Sequence, residues 1–173
     1  MSLIALFTWI TTASLGLYLL SIWLIEYDKD FQTDAETRLP PLVLVAHVAL
    51  GGGGLIVWAY YLFFDNDDLA WIATGAVLLG ASLGTFMAFR WFAVYQAKRQ
   101  LQRVEGITRV WRRGGVAVLD RAEAPRAEAP RADTPRAGPP ERNFPLPVVV
   151  AHGLFATATI TLVVLTAAGV GGS

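Results

Sequence analysis

Residues 40–64 read PPLVLVAHVALGGGGLIVWAYYLFF, twenty-five positions without one Asp, Glu, Lys or Arg. At about 1.5 Å per helical residue, this stretch crosses a hydrocarbon core of about 30 Å. A surface helix of a water-soluble fold would carry a charged face, and this one has none. Three more stretches behave alike. Residues 3–25 and 145–170 are uncharged, and 69–93 contains Arg90 as its single charge. The sequence therefore predicts an all-α chain, a bundle of four transmembrane helices. The first apolar run lacks a basic leading segment and is too long for a cleaved signal, so we expect it to remain as a span.

Formal net charge is zero, yet the charges are unevenly placed. The segment 94–143 holds eleven of the fourteen basic residues, whereas the connection at 65–68 is Asp65-Asn66-Asp67-Asp68. By the positive-inside rule the loops 26–39 and 96–143 are expected in the cytoplasm, with both termini outside a multi-pass cell membrane. Lys29 and Arg38 agree, although five acids accompany them in the first loop. The chain has no cysteine, which excludes disulfides, iron–sulfur clusters and thiolate metal sites.

Working outward from residue 40, the opening Pro40-Pro41-Leu42-Val43-Leu44-Val45-Ala46-His47 returns as Pro145-Leu146-Pro147-Val148-Val149-Val150-Ala151-His152. Pro, Val, Val, Ala and His coincide at an offset of 105. Ala13-Ser14-Leu15-Gly16 returns as Ala81-Ser82-Leu83-Gly84 at an offset of 68, where Trp23 also matches Trp91 and Tyr27 matches Tyr95. We read two hairpins, 1–68 and 69–95 with 144–173, as parallel repeats about a pseudo-twofold along the membrane normal.

The offset grows because 96–143 is inserted. From Gln96 to Trp111 it continues the third helix, with Leu101, Val104, Ile107 and Trp111 on one stripe among Lys98, Arg99, Arg103, Arg109 and Arg112. It reads either as a basic amphipathic helix meeting anionic lipid over 96–113 or as a solvated extension. The repeated Pro-Arg-Ala units after Gly114-Gly115 read as a disordered tether.

Each span carries small residues near its middle: Gly51 to Gly54, Ala156 to Thr159, Gly80 with Gly84, and Thr12 with Gly16. Such residues let helices approach in lipid, and most of them are expected simply to pack the bundle. Aromatic residues at both ends, Trp23, Trp58, Tyr60, Trp71 and Trp91 among them, are expected as interface anchors.

The ionisable residues inside the spans are His47, His152 and Arg90, and such groups usually face a bundle interior. Each His lies about 10 Å inside the end of its helix, so the pseudo-twofold sets the two level. Two neutral imidazoles from separate helices are what a six-coordinate b-type haem requires. Gly51 and Ala156, one turn beyond each His, would give the ring clearance, and Arg90 would meet a propionate. This candidate metal site at His47 and His152 points to an electron-transfer or haem-binding subunit. The competing reading is a structural, non-enzymatic subunit in which the histidines bond the bundle together and Arg90 snorkels to headgroups. A bare metal on two His is weaker, and a quinone headgroup site stays open. Ion-coupled transport is disfavoured because no span contains Asp or Glu. Hydrolysis is disfavoured because no Ser or Asp pairs with either His. A homo-oligomer or a larger membrane complex remains open, and nothing suggests nucleic acid.

The paired Pro-x-x-Val-x-Val-Ala-His openings, with twelve Arg against two Lys, resemble small four-helix integral membrane proteins of high-GC Gram-positive bacteria. The resemblance covers the spans and not the tether. It implies a fold and carries no activity.

Overall fold

A computed structural model describes residues 1–31, 37–114 and 139–170, with side chains placed up to residue 27 in the first segment and 107 in the second. It holds four α-helices: α1 (Ser2–Phe31), α2 (Pro41–Phe64), α3 (Asp67–Gly114) and α4 (Leu146–Ala167). A short 3-10 turn, Pro140–Asn143, precedes α4. All four helices are long and apolar enough to cross a membrane, as in an integral membrane protein.

Local chemistry sets the helix ends. α2 and α4 each start behind an extended proline, Pro40 and Pro145, with a further proline in the first turn. That position has no helical acceptor for its N–H, so proline loses nothing there. α2 stops at Asp65, which adopts the left-handed conformation (φ 48°) and returns its N–H to the Tyr61 carbonyl. The Asn66 side chain accepts the Asp68 N–H, and Asp67 and Asp68 stand at the positive end of the α3 dipole. The α2–α3 connection is thus a tight two-residue turn.

α3 has 48 residues, about 72 Å, and so reaches well past any bilayer. Leu101, Val104 and Ile107 are exposed on that extension beside Arg99 and Arg103. The side chains of Arg109, Trp111 and Arg112, and the tether over 115–138, lie outside the described residues.

The helices form a square. α2 packs along α3 and α1 along α4, the α1/α2 and α3/α4 faces are sparser, and α1–α3 and α2–α4 are diagonal. The close pairs are therefore α2 with α3, which the two-residue turn joins directly, and α1 with α4. The outer surface is apolar: Leu3, Phe7, Leu42, Phe63 and Phe89 are between 70% and 85% exposed, as a lipid-facing surface requires.

Buried residues gather in two clusters. At the end holding the two-residue turn lie Ala5, Trp9, Trp58, Ala70, Ala73 and Val163. At the opposite end, where the long connections emerge, lie Trp23, Leu39 and Met87. We call these the turn end and the loop end. Trp58, Trp23 and Trp91 differ from the interface anchors expected of them, because their indoles face across the bundle and are buried. Trp58 Nε1 donates to the Ser2 carbonyl (3.2 Å), which removes its need for interfacial water. Trp71, Tyr60 and Phe63 do face outward.

Gly54 provides the clearance that closes the turn-end cluster. A Cβ there would stand 2.9 Å from Trp9 Cζ2 and 3.1 Å from the Ala76 Cβ. Gly54→Val is expected to overpack this contact and to destabilise the bundle by roughly 1–3 kcal/mol, read as a lower melting temperature in detergent. Gly52→Val, at an open position, is the control and should change it little.

Candidate functional site

The two core clusters leave a layer between them. Across residues 10–22 of α1, 41–53 of α2, 75–86 of α3 and 146–158 of α4, Gly80 alone is fully buried. His47 and His152 lie in this layer, one on each of the diagonal helices α2 and α4. Their rings face each other across the bundle axis, with centroids 6.2 Å apart and planes at 68°. Both are only half-buried although they face each other across the bundle.

The two imidazoles sit in equivalent seats. His47 Nδ1 bonds the Gly80 carbonyl on α3 at 2.8 Å, and His152 Nδ1 bonds the Thr12 carbonyl on α1 at 3.0 Å. A carbonyl only accepts, so Nδ1 carries the proton in both rings. A Cβ on Gly84 would lie 2.9 Å from His47 Cε1, 3.4 Å from Nδ1 and 3.8 Å from Nε2. The corresponding distances from Gly16 to His152 are 3.0, 3.4 and 3.9 Å. Thr12 to Gly80, and Gly16 to Gly84, are the offset of 68; His47 to His152 is the offset of 105. The donor, its acceptor and the glycine beneath the ring thus recur together.

This arrangement fixes the chemistry of each ring. With Nδ1 protonated, Nε2 of a neutral imidazole holds the lone pair. Among the described residues neither Nε2 has a hydrogen-bond partner. A metal-ligating His is typically held in this way, its second nitrogen donating to a backbone carbonyl that fixes tautomer and ring orientation. Among the described residues, no group of three or more His, Cys, Asp or Glu side chains is placed to hold a metal.

The remaining sequence candidates fall around this layer unevenly. Gly51, one turn beyond His47, has open space where a Cβ would be, and its carbonyl accepts the Trp9 indole N–H at 3.1 Å. Ala156 is half-buried one turn beyond His152. Arg90 is not in the interior. It is exposed at the loop end, donates Nε to the Arg38 carbonyl, and sets its guanidinium 5.7 Å from the Phe86 ring centroid.

Two features escaped the sequence reading. Thr12 and Gly80 stood out there as packing residues, and Gly16 and Gly84 as packing residues within the Ala-Ser-Leu-Gly repeat; the signal that all four belong to the site is their shared offset of 68. Glu141, within the stretch assigned to the insertion, is fully buried, and its carboxylate takes the Arg38 N–H (2.7 Å) and the Thr37 hydroxyl (3.1 Å). It stands 105 residues after Glu36, in the register of the two histidines.

Compared with known proteins, the chain matches no family model, no curated protein and no solved structure.

Proposed function

We propose that this membrane protein binds one b-type haem between His47 and His152 and serves as an electron-transfer or haem-binding subunit. The observation that carries this is the pair of facing imidazoles, each anchored through Nδ1, each with an uncommitted Nε2. Two imidazoles bonded from opposite sides to one metal at about 2 Å place their ring centroids roughly 6 Å apart. The observed separation is 6.2 Å.

The donor set favours haem over a bare ion. Two neutral imidazoles leave a zinc or copper ion short of ligands and of compensating charge. A porphyrin supplies four in-plane donors and needs only two more. His47 and His152, on the close pairs α2/α3 and α1/α4, would hold it from the two sides of the bundle. When bound, it would supply one-electron redox chemistry. Held by both His47 and His152, the group would have no position left for a substrate, which favours electron transfer over catalysis. Arg90 and Arg38, exposed at the nearer end, are the cations within reach of the propionates.

The repeated seat supports reading the two hairpins as a duplicated unit. The basic segment 94–143 supports a cytoplasmic loop end, with Arg99 and Arg103 available to anionic headgroups.

The test is an optical spectrum of detergent-purified protein, with haemin added to any colourless preparation. The expected result is a Soret band with sharp α and β bands on reduction, saturating at one haem per chain. A preparation that stays colourless and takes up no haemin sinks the proposal.

The alternative, histidines that only join helices, has one supporting observation. The two Nδ1 bonds do tie α2 to α3 and α4 to α1. It leaves both Nε2 atoms without a role.

A further inference from the structure

The waist of the bundle lies off centre. His47 is about 10 Å from the loop end of α2 but about 25 Å from its turn end. The turn end is plugged by Trp9, Trp58 and Val163, each no more than 3% exposed, and tied by the two-residue turn. The loop end is closed differently. Two short pieces outside the four helices lie over it: residues 37–39 and the 3-10 turn Pro140–Asn143.

These pieces are pinned together by Glu141. Its carboxylate accepts the Arg38 N–H on one oxygen and the Thr37 hydroxyl on the other. The Thr37 hydroxyl in turn accepts the Trp23 indole N–H (3.3 Å) and the Leu39 N–H (3.2 Å). Arg90 holds the Arg38 carbonyl from α3, and Lys98 holds the Arg142 carbonyl at 3.0 Å. Beneath this network, Leu39 is buried against Trp23 and Met87, with Phe144 packed beside them. The buried carboxylate thus joins the 3-10 turn to residues 37 and 38 and, through the Thr37 hydroxyl, to Trp23 of α1, while α3 is tied to the same two pieces separately by Arg90 and Lys98. Among the described residues no cation lies within ion-pair reach of it, so the clasp rests on neutral donors. Opening this end costs a few hydrogen bonds and the burial of Leu39, whereas the turn end opens only by parting a larger packed aromatic core.

We propose that Glu141 is the pin of a gate at the loop end through which haem enters and leaves the histidine layer. This rests on the haem assignment above. The gate has two states. In the closed state Glu141 draws residues 37–39 and 140–143 over Trp23. In the open state those hydrogen bonds go to water and the loop-end cluster is uncovered, while α1–α4 keep their packing.

The experiment compares wild-type protein, Glu141→Gln and Thr37→Val in detergent. Haem transfer to excess apomyoglobin gives the dissociation rate, and acrylamide quenching of tryptophan fluorescence in the apoprotein reports on clasp opening. Glu141→Gln replaces a charge-assisted acceptor with a neutral one, and Thr37→Val removes the hydroxyl that links Trp23 to Glu141. Both variants are expected to release haem at least tenfold faster with unchanged spectra, and to show greater quenching without haem. If haem leaves both variants at the wild-type rate, the loop-end gate is overturned and access runs sideways between the sparser helix faces. If the variants lose α-helical content or the haem spectrum, the carboxylate is a folding determinant and the gate is likewise overturned. A wild-type protein that binds no haemin removes the haem assignment itself, an outcome distinct from either.

Discussion

Replacing either His47 or His152 with alanine is expected to abolish the paired α and β bands of the reduced protein and to weaken haemin binding by more than about 100-fold. The magnitude follows from what each ring does. Losing an outer partner that merely orients a metal-ligating His typically costs about 10–100-fold, and here the ligand itself is removed. The two variants should be affected alike, because both rings make the same bond to a neighbouring carbonyl and rest over a glycine at nearly equal distances. Each substitution also deletes one hydrogen bond between helices, a loss of about 1 kcal/mol. A modest fall in melting temperature is therefore expected as well and does not by itself distinguish the readings. Spectra decide. Variants that keep the wild-type bands would show that the iron is held elsewhere, and the site at the waist would have to be abandoned.

Gly16→Ala and Gly84→Ala are expected to leave the melting temperature of the apoprotein nearly unchanged and to weaken haem binding. Both glycines lie in helix interiors, where alanine is the better helix former by about 1 kcal/mol. Without haem, an imidazole can turn away from the new methyl group, giving up an interhelical hydrogen bond of about 1 kcal/mol that the helix gain offsets, so the melting temperature of the apoprotein should change little. With haem bound, the ring is fixed at the metal on one side and at the Gly80 or Thr12 carbonyl on the other. A Cβ placed 2.9–3.0 Å from Cε1 then has nowhere to send the clash. Overpacking of this kind costs roughly 1–3 kcal/mol, a loss in haem affinity of about 5- to 150-fold, with a shifted or partly high-spin spectrum. A purely structural pair of histidines shares the apoprotein result, because the same bonds hold the rings without haem, and predicts no haemin uptake in any variant. The haemin titration, measured beside the apoprotein melt, therefore discriminates between the two.

How much of this was legible follows from particular residues. The spans were readable because a run such as 40–64 has no charge to offer water. The equal depth of His47 and His152 followed from two proline-led helix starts with matching spacing. The partner of each ring was not readable. Gly80 and Thr12 share no side-chain chemistry; each contributes only a carbonyl, which every residue has, so no residue type marks the acceptor. Arg90 looked like an interior charge on a linear map, yet its long side chain carries the guanidinium out to the loop end. Glu141 looked like one more charge in an insertion rich in them. Only the fold of residues 37–39 over it makes it a buried carboxylate.

By itself, then, the sequence determined the number of spans, the pairing of their openings and the level of the two histidines. These depend on hydropathy and helical rise, which act along one helix at a time. The tertiary structure decided which helices pair: α2 with α3 and α1 with α4. It also decided that the imidazoles meet across a diagonal, with neither Nε2 bonded among the described residues. Those outcomes depend on which glycine lets which ring approach which backbone. In lipid, where apolar surfaces gain little from meeting one another, close approach of that kind selects the neighbours.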